Sequence, residues 1–375
     1  MLRPLLAVSL VLMLAAGVRA DAFVYFGTFA EGDGRGLYLS RLDGESGQLA
    51  EPRRVADVAS PNFLALASDG RTLYAVTRSR DTNTGLAVFD RRLDTGQLAL
   101  RAQYPSGGDG PCHVSVTPDG RAVLLANYGG GSVRAFAVDT NGALTAGPLV
   151  QHTGASVHPT RQQRAHAHCI LPAPGGRFAL ACDLGLDRVL IYRLDAETGR
   201  LLPHEPAFAA VPPGSGPRQL AFHPSGKSVC VINELTCTLT AFDWEGAAGK
   251  LTARETISLL PAGVELTNSF SGAAIEMRPD GRFVYASLRG HDSLSVVALG
   301  PEGGPPRLIQ NIPCGGRVPR GMGLDPSGRW LVVAHQRSDS VTVFAVDAKS
   351  GRLAPRGQPV HVPAPVDVKF AMPAP

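Results

Sequence analysis

The feature that most constrains this chain is a pair of turn signatures that recurs along its whole length. A Gly-x-Leu turn occurs seven times, and the intervals between its glycines are 49, 46, 57, 50, 55 and 47 residues. These glycines are Gly47, Gly96, Gly142, Gly199, Gly249, Gly304 and Gly351, with a looser spacing to the leucine in the Gly304 copy. A turn resembling Pro-Asp-Gly-Arg occurs six times, at Gly70, Gly120, Gly176, Gly226, Gly281 and Gly328. A period of about fifty residues is typical of stacked or radial repeats, so copies of one structural unit are expected.

Short apolar and β-branched segments lie between these turns. Residues 122–126 form an apolar run, residues 132–138 carry Val, Phe and Val on one side, and the turn-forming residues 127–131 separate them. No helical apolar period of useful length follows residue 20. Each copy is therefore predicted to contain four strands, one on either side of each turn. Four antiparallel strands repeated radially form the blades of a β-propeller, so an all-β fold is predicted.

The count of turns predicts how the ring closes. The first copy lacks a Pro-Asp-Gly turn. Residues 23–27 resemble a second strand, and residues 365–370 resemble a first strand. The C-terminal strand should therefore complete the N-terminal blade and close a seven-bladed ring within a single domain, residues 21–375. A solenoid is the alternative for any repeat, but a blade shared by the two ends of the chain favours closure.

Residues 1–20 are predicted to be a secretory signal peptide. Arg3 gives a positive start, residues 5–18 are apolar apart from one serine, and residues 18–20 offer a small-x-small cleavage site. The apolar run is short for a membrane span, although an uncleaved anchor is the alternative. The protein is therefore expected to be exported, to the periplasm or the medium, and to have no membrane attachment after cleavage.

Charge and cysteine content narrow the possible partners. The formal net charge is +4 and charged clusters are absent, so no nucleic-acid surface is expected. Six cysteines in a chain of 375 residues do not define a disulfide scaffold. Cys169 and Cys182 should face each other across a hairpin, either as a disulfide or, as favoured here, as two small buried hydrophobes. The disulfide state and the oligomeric state are left open by the sequence.

Offsets from the turns predict a binding site. In a blade, the innermost strand begins and the second strand ends at the same mouth of the central channel. The positions at these offsets are Asn62, Cys112, His168, Arg218, Ala273 and Arg320, and then Thr77, Arg78, Asn127, Tyr128, Asp183, Leu184, Asn233, Glu234, Leu288, Arg289, His335 and Gln336. A polar ring on an apolar scaffold is typical of a binding site, although polar channel residues are also often structural. Four arginines with two carboxylates predict an anionic or strongly polarised ligand.

Several motifs at these positions resemble those of the seven-bladed propeller lactonases, a family that includes propeller-type 6-phosphogluconolactonases and carboxy-muconate cyclases. The matching segments are Gly216-Pro217-Arg218-Gln219, Phe222-His223-Pro224, Asn233-Glu234-Leu235, Arg161-Gln162-Gln163, Ala165-His166-Ala167-His168, Ala126-Asn127-Tyr128, Asp183-Leu184-Gly185, Arg289-Gly290-His291-Asp292-Ser293 and Pro319-Arg320-Gly321. The resemblance extends over residues 23–370. It implies a propeller that hydrolyses a sugar lactone, such as 6-phosphogluconolactone, to the aldonic acid.

The resemblance also implies site residues. The catalytic set of the family falls on His168, Arg218, Glu234 and Arg289, all within the predicted ring. Substrate contacts are predicted at Asn127, Asp183, Asn233, Arg320 and Gln336. This chain departs from the motifs at Gln219, Ala165, Leu288 and His335, where the family has His, Pro, Asn and Asn. These departures concern the substrate more than the fold.

Lactone hydrolysis without a metal or other cofactor fits both lines of reasoning. Glu234 or His168 could be the general base, and Arg218 and Arg289 could stabilise the oxyanion and hold a phosphate or carboxylate. A calcium-dependent mechanism would need oxygen ligands such as Glu234, Asp183, Asn127 and Asn233, but the arginines would repel the cation. The absence of a Gly-x-Ser-x-Gly motif argues against a serine esterase.

Two further classes remain open at this level. A cycloisomerase would use the same acid, base and arginines to form a lactone from a carboxylate. A non-catalytic exported propeller would use the same mouth to bind a ligand, because a fold does not determine a function. Turnover of muconates would favour the cyclase, and ligand binding that survives Glu234→Gln without turnover would separate binding from catalysis.

Overall fold

The computed structural model describes residues 21–78 and 85–374. The predicted signal peptide lies outside these residues, so that prediction and the domain boundary that depends on it stay predictions. Almost all of the ordered elements are strands, with two short 3₁₀ turns at Gly32–Gly34 and Pro301–Gly303. No described helix is long and apolar enough to cross a membrane.

The strands form seven sheets, numbered here as blades 1 to 7. Blade 1 contains β1 (Ala22–Thr28), β2 (Leu37–Leu42) and β3 (Arg53–Ala56). Blade 2 contains β4 (Phe63–Leu66), β5 (Thr72–Val76), β6 (Leu86–Arg91) and β7 (Leu98–Tyr104). Blade 3 contains β8 (Pro111–Val116), β9 (Ala122–Asn127), β10 (Ser132–Val138), β11 (Leu144–Ala146) and β12 (Val150–Gln151). Blade 4 contains β13 (Ala167–Pro172), β14 (Phe178–Asp183), β15 (Arg188–Asp195) and β16 (Arg200–Ala210).

The remaining blades follow the same order. Blade 5 contains β17 (Pro217–Phe222), β18 (Ser228–Asn233), β19 (Thr238–Glu245) and β20 (Lys250–Ser258). Blade 6 contains β21 (Ser271–Met277), β22 (Phe283–Arg289), β23 (Ser293–Ala298) and β24 (Arg307–Pro313). Blade 7 contains β25 (Pro319–Leu324), β26 (Trp330–His335), β27 (Ser340–Val346) and β28 (Leu353–His361). The last strand, β29 (Pro365–Ala371), belongs to blade 1.

The predicted closure of the ring is confirmed. Strand β29 pairs antiparallel with β1, with Tyr25 opposite Lys369, so the order in blade 1 is β29-β1-β2-β3. Four antiparallel strand positions per blade are also confirmed. In blade 3 the outermost position is divided into β11 and β12, which both pair with β10. The N–H of Gly147 still donates to Ala135 O at 2.9 Å between these two segments.

The turn glycines explain why the pattern repeats. The six glycines of the Pro-Asp-Gly turns have φ between 66° and 74°, a region that a residue with a Cβ enters only with strain. In the looser copy of the second turn, Gly303 takes the positive φ of 81° next to Gly304. Each signature therefore fixes a chain reversal between two strands.

The hydrophobic core lies between neighbouring blades. Phe178 and Val189 of blade 4 pack in one buried cluster with Val229, Phe242 and Trp244 of blade 5. Burial of each such side chain stabilises the fold by about 1.5–3 kcal/mol. Because this packing joins sheet faces, the innermost strands surround a central channel with a cavity of about 380 Å³.

The predicted hairpin pairing of two cysteines is confirmed. Cys169 and Cys182 are register partners on β13 and β14. Both are buried free thiols. Of the other four cysteines, Cys230, Cys237 and Cys314 are also buried, and Cys112 is half-buried.

Candidate active site

A β-bulge at the start of the innermost strand positions one side chain in each of several blades. The strand register shifts between Ala167 and Cys169, and the residue left unpaired is His168. The same shift leaves Arg218 unpaired between Pro217 and Gln219. Strands β8 and β25 have equivalent shifts at Cys112 and Arg320. A bulge redirects a side chain and ends regular pairing, so these four residues occupy equivalent places around one mouth of the channel.

The mouth contains a pocket of about 410 Å³. It is lined by Phe29, Asn62, Arg78, Gly110, Cys112, Tyr128, Arg161, His168, Glu234, Ser271, Arg289 and Arg320. Three of the four predicted catalytic residues therefore line this pocket. The fourth, Arg218, lies directly behind Glu234 and lines the channel cavity below.

Glu234 is the centre of an ion-pair network. Its Oε1 lies 2.6 Å from Nη2 of Arg161. Its Oε2 lies 3.0 Å from Nε of Arg218 and 3.0 Å from Nη2 of Arg289. The Arg218 contact is an ion pair without hydrogen-bond geometry, because this Nε–H has no hydrogen-bond acceptor. One carboxylate therefore holds three guanidinium groups in fixed positions.

Backbone contacts fix Glu234 and two of its arginines in turn. The N–H of Glu234 donates to Gly216 O at 2.7 Å, and its carbonyl accepts from the N–H of Gly272 at 2.9 Å. Arg289 Nη2 also donates to the carbonyl of Gly272 at 3.1 Å, and Arg218 Nη1 donates to Ala273 O. The network therefore joins the ends of blades 5 and 6, which makes it rigid before any ligand binds.

The surrounding charges decide the protonation state of Glu234. Burial raises the pKa of this carboxyl, but Arg289, Arg218 and the other cations outweigh burial and hold the pKa well below its usual range. Glu234 is therefore ionised at all physiological pH values. Both oxygens of this carboxylate already face guanidinium groups, so its structural role is to hold the arginines; its role as a general base stays a prediction.

His168 has the opposite electrostatic character. Its side chain is buried, with a residue exposure of 6%. Burial first, and then the charge of Arg218, lower the pKa of His168 well below 6.5. The ring of Tyr128 packs edge-on at 5.3 Å, and Cys112 Sγ lies 4.0 Å from Nδ1. His168 is therefore a neutral imidazole at pH 7, able to accept a proton.

Arg320 is a half-buried cation of the pocket lining. Among the described residues, no carboxylate lies within ion-pair distance of it, and its guanidinium packs over the Phe29 ring at 5.0 Å. Burial, together with Arg218 and Arg289, lowers the pKa of Arg320 to about 9. It is still positively charged at pH 7. A cation that is partly removed from water and has no partner is costly, so this part of the pocket is suited to an anionic group.

Three predicted substrate contacts lie behind the pocket wall. Asn127 donates to Ser132 Oγ at 3.1 Å, and Asn233 donates to Thr238 Oγ1 at 2.9 Å. Asp183 Oδ2 lies 2.6 Å from His152 Nδ1. All three predicted residues are completely buried and none lines the pocket. In this structure they support the second strands, because a strand end turns alternate side chains to opposite sides, and substrate contact by these three residues stays a prediction.

Because side chains alternate along a strand, the two predicted positions after each turn glycine point to different sides of the second strand. The seventh position after the turn glycine is buried in every copy from Thr77 to His335. The eighth position provides Arg78, Tyr128, Glu234 and Arg289 to the pocket. Gln336 shares this eighth offset but does not line the pocket, so its contact with substrate stays a prediction. Of the predicted substrate contacts, only Arg320 lines it.

Arg161 is the site residue that the offsets missed. It lies on the connection 152–166 between blades 3 and 4, and its Nη2 also donates to Tyr128 Oη at 3.2 Å. The next residue anchors it, since Gln162 Nε2 donates to Leu184 O at 2.8 Å and to Asp187 Oδ1 at 2.7 Å. The available signal was the Arg161-Gln162-Gln163 motif, which lies outside the strands.

The oxygen donors considered for calcium do not converge. Asp183 and Asn127 are bonded to His152 and Ser132 as described, and Glu234 is surrounded by arginines. Over residues 21–78 and 85–374, no group of three or more His, Cys, Asp or Glu side chains is arranged to hold a metal ion. The chemistry that this mouth offers is that of a neutral imidazole beside fixed cations.

Comparisons with known proteins agree with this architecture. The family model described as "Lactonase, 7-bladed beta-propeller" matches residues 23–370. The 6-phosphogluconolactonase of Bacillus subtilis (strain 168) is 33% identical over 348 residues, covering 92% of this chain and 97% of the relative. A protein of Formosa agariphila with the same name is 29% identical, with 88% and 94% covered.

Solved structures show the same relationship. The periplasmic gluconolactonase of Pseudomonas aeruginosa superimposes with a TM-score of 0.88 at 33% identity, covering 95% of this chain and 100% of that one. A putative 6-phosphogluconolactonase of Bacteroides fragilis gives a TM-score of 0.86 at 27% identity, with 95% and 99% covered. The chain therefore belongs to the seven-bladed β-propeller lactonase family.

Proposed function

We propose that this protein is a lactonase that hydrolyses the ring ester of an anionic sugar lactone, similar to 6-phosphogluconolactone, to the aldonic acid. The relatives named above support hydrolysis of a sugar lactone. The observation that carries the proposal is a neutral His168 in the same pocket as Arg161, Arg289 and Arg320, with Glu234 as the one carboxylate of the lining. Such a pocket combines a proton acceptor with stabilisation of negative charge.

His168 is the general base of the proposed reaction. It accepts a proton from water as the water oxygen bonds to the lactone carbonyl carbon. The carbonyl then becomes a tetrahedral oxyanion. The ring C–O bond breaks next, and the protonated imidazole returns the proton to the leaving ring oxygen, which gives a hydroxy acid. Water and lactone are the only reactants, so no oxidant, reductant or second substrate is required.

Arg289, which lines the pocket, stabilises the oxyanion in this scheme, and Arg218 adds its positive charge from behind Glu234. Glu234 fixes both guanidinium groups before the substrate binds, so little reorganisation accompanies the development of charge. Preorganised donors of this kind typically contribute about a hundredfold to a thousandfold in turnover. Glu234 acts through the arginines and is therefore a positioning residue.

Arg320 binds the anionic substituent of the substrate. It has no carboxylate partner among the described residues, and the exposed Arg78 adds positive charge at the rim of the pocket. A phosphate or a carboxylate on the lactone would provide the missing counter-charge. In this assignment Arg320 binds the anionic substituent of the substrate, and other arginines stabilise the transition state.

A panel of lactones tests the proposal. Acid release from glucono-δ-lactone and from 6-phosphoglucono-δ-lactone is followed in a pH-stat for the wild type and for Arg320→Ala. We expect the variant to raise KM for the phosphorylated lactone about tenfold or more, with a smaller change in kcat, because uniform binding is lost. Arg317→Ala is the matched control, since Arg317 is exposed and lies outside the pocket.

Other results would contradict the proposal. Failure to release acid from either lactone would reject the hydrolase assignment, and conversion of a muconate to a lactone would favour the cycloisomerase instead. Equal KM values for Arg320→Ala and the wild type would reject the role of Arg320 in anion binding.

We also propose that the protein is exported and cleaved after Ala20. The charged start, the apolar run and the small residues at the boundary support this. N-terminal sequencing of the mature protein tests it, and an intact Met1 on cytoplasmic protein would contradict it.

A further inference from the structure

A second cavity adjoins the mouth pocket. This side cleft has a volume of about 590 Å³, larger than the mouth pocket. The two cavities share Arg161 and Ser271 as lining residues. Both volumes lie in the range typical of small-ligand sites, roughly 300–1,000 Å³. The catalytic mouth is therefore continuous with a space that a single lactone ring does not need.

The chain builds this cleft with its two longest connections between blades. One wall belongs to residues 152–166, between blades 3 and 4, and the other to residues 259–270, between blades 5 and 6. Among the seven connections between blades, no other is as long. Leu235, which directly follows Glu234 in the sequence, also lines the cleft. The cleft is thus an addition to the regular propeller rather than a consequence of its repeat.

The first wall is held in place by its own hydrogen bonds. The His158 N–H donates to Gln162 Oε1 at 3.0 Å, and the Gln162 N–H donates to His158 O at 3.1 Å. Ser156 Oγ donates to Asp187 Oδ2 at 2.5 Å, and Gln162 Nε2 binds the other oxygen of the same carboxylate. This wall of the cleft is therefore preformed, which lowers the entropic cost of binding.

The lining of the cleft selects the type of occupant. Leu235, Leu266 and Phe270 provide apolar surface, and Leu266 is 45% exposed. Thr160 and Asn268 provide hydroxyl and amide groups. A pyranose ring has an apolar C–H face and a rim of hydroxyl groups, and it matches such a mixed surface.

The cleft offers little to a charged ligand. Arg161, a charged residue of its lining, is already paired with Glu234 at 2.6 Å. The Nδ1 of His158 accepts the backbone N–H groups of Thr160 and Arg161 at 3.3 and 3.2 Å, so this ring nitrogen is already engaged within its own connection. An uncharged occupant is expected for this reason.

We propose that the side cleft binds an uncharged glycosyl unit joined to the lactone, so that disaccharide aldonolactones are better substrates than the corresponding monosaccharide lactones. This proposal rests on the lactonase function proposed above. Binding of a remote substituent can be used to orient the reacting ring. The glycosyl unit therefore raises kcat/KM even though it takes no part in the chemistry.

The wild-type enzyme gives the first test. Cellobiono-δ-lactone and glucono-δ-lactone differ by one neutral glucosyl unit, so their kcat/KM ratio isolates its contribution. We expect a ratio of about ten or more, since a single pocket contact already discriminates by tenfold or above. Hydrolysis of glucono-δ-lactone with a ratio near one would overturn this inference and leave the proposed function intact. No hydrolysis of either lactone would reject the proposed function itself.

Two variants on one connection give the second test. Leu266→Trp fills the cleft and should lower the ratio about tenfold, because it excludes the glucosyl unit. Val264→Trp is the matched control, since Val264 is 37% exposed on the same connection and does not line the cleft. It should leave the ratio unchanged. A melting curve confirms that each variant is folded, and an unchanged ratio in folded Leu266→Trp would overturn the assignment.

Discussion

Replacing Glu234 with Gln should destabilise the protein because it removes the counter-charge of a buried cluster. The side chain of Glu234 is 6% exposed, and those of its partners Arg218 and Arg289 are 3% and 14% exposed. Loss of one member of a buried ion pair typically costs about 3–5 kcal/mol, since the remaining charge is left uncompensated. Arg161 is 39% exposed, so its share is screened by solvent and adds little.

Urea unfolding measures this cost, with Glu197→Gln as a matched control. Glu197 pairs with Arg121 at 2.8 Å on the surface, where both side chains are more than half exposed. The control should therefore lose no more than about 1 kcal/mol. Inorganic phosphate should stabilise Glu234→Gln more than the wild type, because a bound anion replaces the missing charge.

A different result would refute the reasoning. If Glu234→Gln kept wild-type stability but lost about a hundred- to ten-thousandfold in turnover, Glu234 would be a proton-transfer group. The ion-pair network would then be incidental, and His168 would need another role.

Three further outcomes follow from the structure. Burial and Arg218 hold the pKa of His168 well below 6.5, so kcat/KM should stay level as pH falls to 6.5 and decline only below it. His168→Ala should lose about a hundredfold or more in turnover. A decline in kcat/KM that begins above pH 6.5 would contradict this. Burial in the channel raises the pKa of Glu276 from 4.5 to about 7, so this group's contribution to stability is present below pH 4.5 and is lost as pH rises through 7. Glu276→Gln should therefore flatten the pH dependence of the unfolding free energy by an amount on the order of 1–3 kcal/mol, and an identical dependence in urea titrations would contradict it. Deletion of residues 365–375 removes β29 and leaves β1 without its inner partner, so the cooperative melting transition should be lost; an unchanged calorimetric profile would reject the importance of closure.

The repeat made the fold predictable from the sequence. Turn glycines act locally, because a positive φ reverses the chain whatever lies elsewhere, and alternating apolar residues fix which faces are buried. The mismatch between seven turns of one kind and six of the other predicted that 365–370 closes the ring. The same spacing placed His168, Arg218 and Arg320 at equivalent heights, so their convergence at one mouth could be predicted before any distance was known.

The direction of the side chains was decided by the tertiary structure. Asn127 and Tyr128 are neighbours in sequence, yet one supports its strand and the other lines the pocket, because a spacing fixes height in the blade and not which way a residue points. Arg161 reaches Glu234 from a connection outside the repeat, and no local pattern determines where such a segment folds. The protonation states of Glu234 and His168 depend on charges brought together from several blades. Long-range electrostatics of this kind arise only when the ring has closed.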